Sequence, residues 1–391
     1  MSDIFDKRYE SFRVDLLDSN DTTLGTIGMV KGGVIDWSIY NTIKTGGNIE
    51  IVTHKDATDV NWLNSRVKIY YIWQDPPIID DYGTITQSTK LERALGVFIT
   101  STPEYIYSDT GISAKVELYD KLIMVSQDAY HNTSYIGKGR KILQSAVEIL
   151  STCNVPLTQM NIDPTKEAEV AKDHLIWEAG TSKLQMINDL LDIIQYRSLW
   201  VDVNGKFRLG PWIAPKNRAL EYDFKDDNSS IYLSDFTIEE DFFDIPTHII
   251  AISKASGDSE VPEDEKVVSI VLSNYDINSP YSVQNRGRKI VHIERNVEVP
   301  DGSVEERKAS LKQYAKQVLS EKINTASTIQ ITHALVPDLY LTDRVRFRND
   351  ANGIISKEYT VTDMRMTLSA GALVETTLRD IIDDTGFDSD E

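Results

Sequence analysis

Six histidines, His54, His131, His174, His248, His292 and His333, are the first candidates for metal or proton chemistry. No two stand four apart, as a helical metal site requires, and none joins a carboxylate in a zinc-type signature. His248, His292 and His333 fall in strand-like segments, where hydrogen-bonded structural roles are the plainer reading; only the fold can bring them together. Cys153 is the sole cysteine, so neither an internal disulfide nor a cysteine-based metal cluster can form. It continues the apolar stripe of a helix and reads as a small buried hydrophobe, not a catalytic thiol.

Other patterns carry little chemistry. Ser65-Arg66-Val67-Lys68 matches Ser-x-x-Lys, but in an alternating strand and not at a helix start. Gly137-Lys138-Gly139-Arg140-Lys141 precedes a helix whose free N–H groups could hold an anion, yet it lacks P-loop spacing and reads as a linker. Around Asp223–Asn228 the glycine of a calcium loop is missing. The carboxylate pairs at Asp226-Asp227 and Glu239-Glu240-Asp241 would matter to glycoside hydrolysis only through a separation in space that sequence does not give. The residues offer no catalytic constellation, no cofactor motif and no metal-ligand set, and the chain reads as a non-enzyme.

The 391 residues carry 61 acids against 41 Lys+Arg, a formal charge of −20. That length suits two or three domains. The acidity argues against gripping nucleic acid through its phosphates, while leaving open a surface past which nucleic acid slides. Met1–Glu10 lacks the apolar core of a signal peptide, and nowhere do 18 apolar residues run together. The expectation is assembly in a reducing cytoplasm with no stable membrane anchor.

Residues 11 to about 127 read as β structure. Phe12, Val14 and Leu16 alternate with Arg13 and Asp15, and strand-like runs follow at Asn48–Thr53, Ser65–Trp73, Leu95–Ser101 and Ile112–Tyr119. Gly32-Gly33 and Gly46-Gly47 are read as bends in the segment Leu24–Ile51. From Arg140 to Cys153 apolar residues fall at helical spacing, and Pro156 stops that helix. A second helix begins near Ser182, with Gln185 at capping-box spacing and Leu184, Ile187, Leu190, Leu191 and Ile194 on one stripe. Asn204-Gly205, between Leu199–Val203 and Lys206–Leu209, predicts a two-residue type I′ hairpin. Strand candidates then run from Ile231 to Ile293, past an acidic loop at Gly257–Lys266. A third helix starts at Ser303 with Glu306 in capping-box position and Leu311, Ala315 and Val318 on one face. Closing strands are expected at Thr328–His333, Arg344–Arg348, Tyr359–Leu368 and Leu373–Leu378, before an acidic solvated tail.

The most specific stretch runs from Trp177-Glu178-Ala179-Gly180-Thr181-Ser182-Lys183-Leu184 through Trp200-Val201-Asp202 to Asn204-Gly205-Lys206-Phe207. It resembles the small α+β unit of bacteriophage tail hub proteins, the family of contractile-tail baseplate hubs and siphophage tail-tip bases. The loop from Ser273-Asn274-Tyr275-Asp276 to Arg286-Gly287-Arg288, and the turn Pro337-Asp338-Leu339-Tyr340-Leu341-Thr342-Asp343-Arg344-Val345, agree with it.

The resemblance implies a β-rich α+β fold of two tail-tube-like β-barrels with an inserted α+β domain. It places the first barrel at 1–128, the insert at 129–225, the second barrel with its helix at 226–378 and the acidic tail at 379–391. It implies a homotrimer forming a pseudo-hexameric ring, and no cofactor. The partners it implies are a tail tube or distal tail protein, a tape-measure protein and a tip spike or fibre, with DNA passing through without specific binding. Gly32, Gly33, Gly46 and Gly47 mark the expected contact with the next ring. The alternatives are a receptor- or carbohydrate-binding tail protein, in which Trp37, Trp62 and Trp73 would offer stacking faces, and a tail-associated glycan hydrolase.

Overall fold

Alternating apolar residues in the first third of the chain form strands whose pairings close on themselves. In a computed structural model, which describes all residues except 1–8, 54–59, 75–77, 80–84, 87–89, 110, 257–260, 278, 280, 300–301, 325–326, 337, 372, 382–386 and 390–391, β1 (Tyr9–Leu17) pairs with both β2 (Thr23–Ser38) and β4 (Arg66–Gln74). β3 (Thr45–Thr53) joins β2 to β9 (Gly111–Asp120), and β7 (Lys90–Thr100) joins β9 back to β4. The circuit β1–β2–β3–β9–β7–β4 is a closed barrel, so none of its six strands is left as a bare edge. Val14, Ile35, Ile49, Ile51, Val67, Ile69, Phe98, Val116 and Leu118 fill it. The two-residue strands β5 (Ile78–Ile79) and β6 (Ile85–Thr86) pair between β4 and β7, and β8 (Glu104–Ser108) forms a hairpin with β9.

The glycine pairs do not bend the chain. They lie within the β2–β3 hairpin, where Gly33 faces Ile49 and Gly47 faces Ile35; the reversal is made by residues 39–44. Gly33 and Gly47 have φ of +148° and +147°, and a Cβ would collide with the carbonyl of Asn48 or of Val34 across the ladder. A glycine pair in a strand interior marks close backbone approach as readily as a turn.

The insert packs around its own core. α1 (Leu122–Ser126), β10 (Ser134–Ile136), α2 (Ile142–Thr152), β11 (Met160–Ile162), β12 (Leu175–Trp177), α3 (Lys183–Ile193), β13 (Trp200–Val201) and β14 (Phe207–Leu209) follow in order. α2 buries Ile142, Leu143, Ala146, Ile149 and Leu150 against Leu184, Ile187, Leu190 and Leu191 of α3, as the periodicity predicts. Ser182 caps α3, its Oγ accepting from the Gln185 N–H at 3.2 Å. Cys153 is buried at the end of α2, and burial pushes its thiol up to about 12.

β15 (Leu220–Phe224), expected within the insert, instead runs parallel to β21 (Arg344–Asn349). A second rolled sheet follows, in the order β16 (Tyr232–Glu240), β20 (Ser327–Ala334), β23 (Leu373–Asp380), β22 (Ile354–Thr367), β21 and β15. Tyr232 and Phe236 of β16 meet Phe347 of β21 across the interior, at centroid distances of 4.9 and 5.5 Å. β2 outlasts its own barrel: Val34–Ser38 pairs with Thr367–Asp363 of β22, fusing both bodies into one 13-stranded sheet.

Residues between β16 and β20 do not belong to that second sheet. β17 (His248–Ser253), β18 (Ser269–Asn274) and β19 (Val291–Val297), with the one-turn α4 (Val283–Arg286), form a separate sheet under α5 (Val304–Asn324). Leu311, Ala315 and Leu319 of α5 cover Ile249, Ala251 and Leu272. Its capping box is reciprocal: the Ser303 N–H donates to Glu306 Oε2 (2.9 Å), and the Glu306 N–H to Ser303 Oγ (3.3 Å). The expected tail also carries structure. Asp380 ends β23 and is buried, and β24 (Phe387–Ser389) pairs with β18. Among the described residues, no helix is long and apolar enough to cross a membrane.

Candidate functional site

Part of the motif, Asn204 and Gly205 in one hairpin and Asp338 in a later turn, forms two clasps onto the first barrel. The hairpin after α3 has a three-residue loop rather than a type I′ turn, because Trp200 pairs with Arg208 and the Asp202 N–H reaches Lys206 O. Asn204 keeps a negative φ, and Gly205 alone adopts the left-handed region, at +78°. Asp202 Oδ1 fixes the loop by accepting the N–H groups of Asn204 (2.9 Å) and Lys206 (3.0 Å).

That loop docks on the first barrel. The Gly205 carbonyl accepts Lys121 Nζ at 2.7 Å, Asn204 Oδ1 accepts Lys68 Nζ at 3.0 Å, and a Cβ on Gly205 would stand 2.9 Å from Val97. Lys121 is fully buried and donates equally to Asp21 Oδ2 and Gln159 Oε1, each at 2.7 Å; Arg66 holds the other Asp21 oxygen. Burial outweighs these partners and pushes the Lys121 ammonium down to about 8. Lysine at 121 had no distinguishing signal in the sequence: its partners lie from Asp21 to Gly205.

The second clasp is the turn before β21. Asp338 pairs with Arg93 of β7 (2.8 Å), and Asp343 Oδ2 accepts the Tyr340 N–H (2.7 Å) while burial pushes its carboxyl up to about 6. Pro337 lies outside the described residues. Trp177 donates from Nε1 to Asp189 of α3 (2.7 Å), the Gly180 N–H reaches Tyr130 O (3.0 Å), Leu184 is core, and Trp200 carries Arg197 over its ring at 4.7 Å.

Beside the clasps runs one continuous wall, in the order β8–β9–β3–β2–β22–β23–β20–β16. Its side chains away from the cores are mostly polar, with Val52, Ile106 and Leu373 as exposed apolar exceptions. Asp36, Glu50, Glu117, Asp363, Glu375 and Glu239 face out with Lys31, Lys115, Arg365 and Arg379, and Lys31–Glu50 (2.7 Å) and Asp36–Arg365 (3.1 Å) are paired. Gly32 and Gly46 lie in the same wall. Among the described residues, β8 and β16 end it with unpaired outer edges, and Tyr107 and Ile238 on them are exposed.

The remaining candidates are dispersed. His248 and His292 lie on neighbouring strands but opposite faces, bonded to Tyr275 and to Glu294, and His333 sits in the other sheet between Ala334 O and Thr376 Oγ1. Among the described residues, no three His, Cys, Asp or Glu side chains could share a metal ion. Trp62 is buried with Nε1 on Tyr105 Oη (3.0 Å), and Trp37 and Trp73 pack on the same core, so none offers an open stacking face.

No protein-family model matches the chain, and no curated protein matches it in sequence. Solved structures do. A tail protein from Neisseria meningitidis superposes with a TM-score of 0.63 over 95% of this chain and 97% of its own, at 13% identity. A 43 kDa prophage tail protein from Shewanella oneidensis gives 0.58 over 94% and 98%, at 10% identity. A prophage tail protein from Listeria monocytogenes gives 0.54 over 94% of each chain, at 13% identity. A chain of a PdpA–VgrG complex gives 0.51 at 9% identity, with 96% of this chain matched to 65% of that one. The chain shares the β-rich fold of these tail-protein structures over 94–95% of its length.

Proposed function

We propose that this chain is a structural hub of a phage-type tail tip or baseplate, three copies forming a ring whose bore is lined by the wall sheet. The observation that carries this reading is the wall itself. The closed barrel and the rolled sheet already share one seam within the chain, Val34–Ser38 with Thr367–Asp363, and among the described residues the wall ends in two unpaired edges, β8 and β16. Joining β16 of one copy to β8 of the next repeats that seam between chains; a heterologous contact of this kind closes into a ring when its rotation permits. The tail-protein fold supports the same reading.

The work of such a hub is geometric. The ring would cap a tail tube or distal tail protein, meet the tape-measure protein, and carry a tip spike or fibre below. Carboxylates outnumber cations on the wall, so DNA entering the bore would meet like charge and pass without specific adhesion. The glycine pairs let β2 and β3 lie close in that wall; their contact with the next ring belongs to this proposal as well.

A cysteine scan along Ser234–Glu240, combined with Tyr107→Cys, checks the seam. Cys153 is buried and its thiol held up, so it stays silent under mild oxidation. We expect disulfide-linked dimers and trimers, and nothing larger, at one or more scanned positions. Monomers at every position would show that the two edges do not meet.

A further inference from the structure

Within this acidic chain, four cations gather where the first barrel, the insert and the second sheet meet. Arg197, beyond α3, donates from Nη1 to Thr342 Oγ1 at 3.2 Å. Arg218, on the segment leading to β15, donates to the carbonyl of the same Thr342 and from Nε to Ile213 O at 3.0 Å. Lys44, in the β2–β3 turn, donates to Ile39 O at 2.6 Å. Arg379 of β23 reaches Tyr40 Oη of that turn at 3.5 Å, and among the described residues its buried Nε has no partner. The turn and the Thr342 loop are adjacent: the Ile39 N–H bonds Thr362 O, and the Thr342 N–H bonds Val361 O.

None of the four cations makes an ion pair among the described residues. The nearby carboxylates attract them without forming an ion pair, Asp343 acting on Arg197 and Arg218 and Asp120 on Lys44. Asp343 accepts the Tyr340 N–H, Asp120 accepts those of Thr45 and Leu122, and burial pushes both acids up to about 6. The cations also oppose one another: burial, then Arg218, pushes Arg197 down to about 10, and burial, then Arg197, lowers Lys44. Unpaired half-buried guanidinium groups are costly unless something neutralises them.

We propose that this junction binds a small tetrahedral oxyanion, phosphate or sulfate, held by Arg197, Arg218, Arg379 and Lys44. Guanidinium forks match two oxygens of such an anion, while an ammonium serves as a point charge. The anion would tie together β23, the β2–β3 turn and the segments on either side of the insert's last strands. This site stands on the cation geometry alone and does not require the ring.

Calorimetric titration of the full chain with sodium phosphate in a chloride buffer tests it, alongside thermal unfolding in phosphate and in chloride at equal ionic strength. Saturable heat and a saturable rise in melting temperature with phosphate are expected. Arg379→Gln and Lys44→Gln should each weaken phosphate binding at least tenfold, while melting no lower than the parent chain in chloride because repulsion is relieved. Two results would overturn the site. One is the absence of saturable heat with the unaltered chain. The other is an equal phosphate increment in parent and variants, which is general salt stabilisation.

Discussion

Replacing Lys121 with methionine is expected to lower the unfolding free energy at pH 7 by about 3 kcal/mol, one of the largest single-residue losses in the molecule. Methionine fills a similar volume, so little of the loss comes from packing. The loss comes from the acceptors left behind: Asp21 Oδ2, Gln159 Oε1 and the Gly205 carbonyl, in a place where Lys121 itself is fully buried. Arg66 remains on Asp21, which keeps the loss below that of a wholly stranded carboxylate. The ammonium's own desolvation is relieved in the variant, and the double substitution with Asp21→Asn should therefore lose less than the two singles combined. Urea unfolding of the three variants measures this. Strict additivity would mean that Lys121 and Asp21 are not coupled, and the first clasp would need another explanation.

Acid should reveal His333 on a similar scale. Burial holds its imidazole down to about 4, with Nδ1–H donated to Ala334 O and Nε2 accepting from Thr376. The folded pKa lies below the unfolded value near 6.5, so the unfolded chain binds a proton that the folded chain refuses. Stability from this residue is intact above pH 6.5 and falls as pH drops from 6.5 to 4, by about 3 kcal/mol in all. Asp120 and Asp343, each pushed up to about 6, act with the opposite sign, since the folded chain keeps protons there that the unfolded chain releases. The clean readout is therefore a difference. The stability gap between the parent chain and His333→Gln should shift by about 3 kcal/mol toward the variant between pH 7 and pH 4. Parallel pH profiles would mean that His333 titrates normally in the folded state.

Local elements were legible where one segment holds its own signal. The stripe Leu184, Ile187, Leu190 and Leu191 and the cap at Ser182 specify α3, and Ser303 with Glu306 specifies the start of α5, without reference to any partner. Partnership was not legible. Ile249 and Ala251 alternate just as Ile329 and Ile331 do, yet the first pair lies under α5 and the second inside the rolled sheet. Period 2 tells that a face is buried, not what buries it. The glycine pairs lie inside the hairpin and not at its bends for the same reason, since close approach needs the opposite strand. Asn204-Gly205 predicts a turn one residue tighter than the one found, because Asp202 supplies the side-chain acceptor that favours the longer loop. The four-cation junction spans Lys44 to Arg379 and has no sequence signature at all.

The central claim is the ring. Its most direct test is sedimentation of the full chain at micromolar concentration, with negative-stain images of the same particles. A mass of three chains, and end-on views showing a ring with an open centre, are the results expected. A chain that sediments as a compact monomer at every concentration, with no annular particles, would contradict the account.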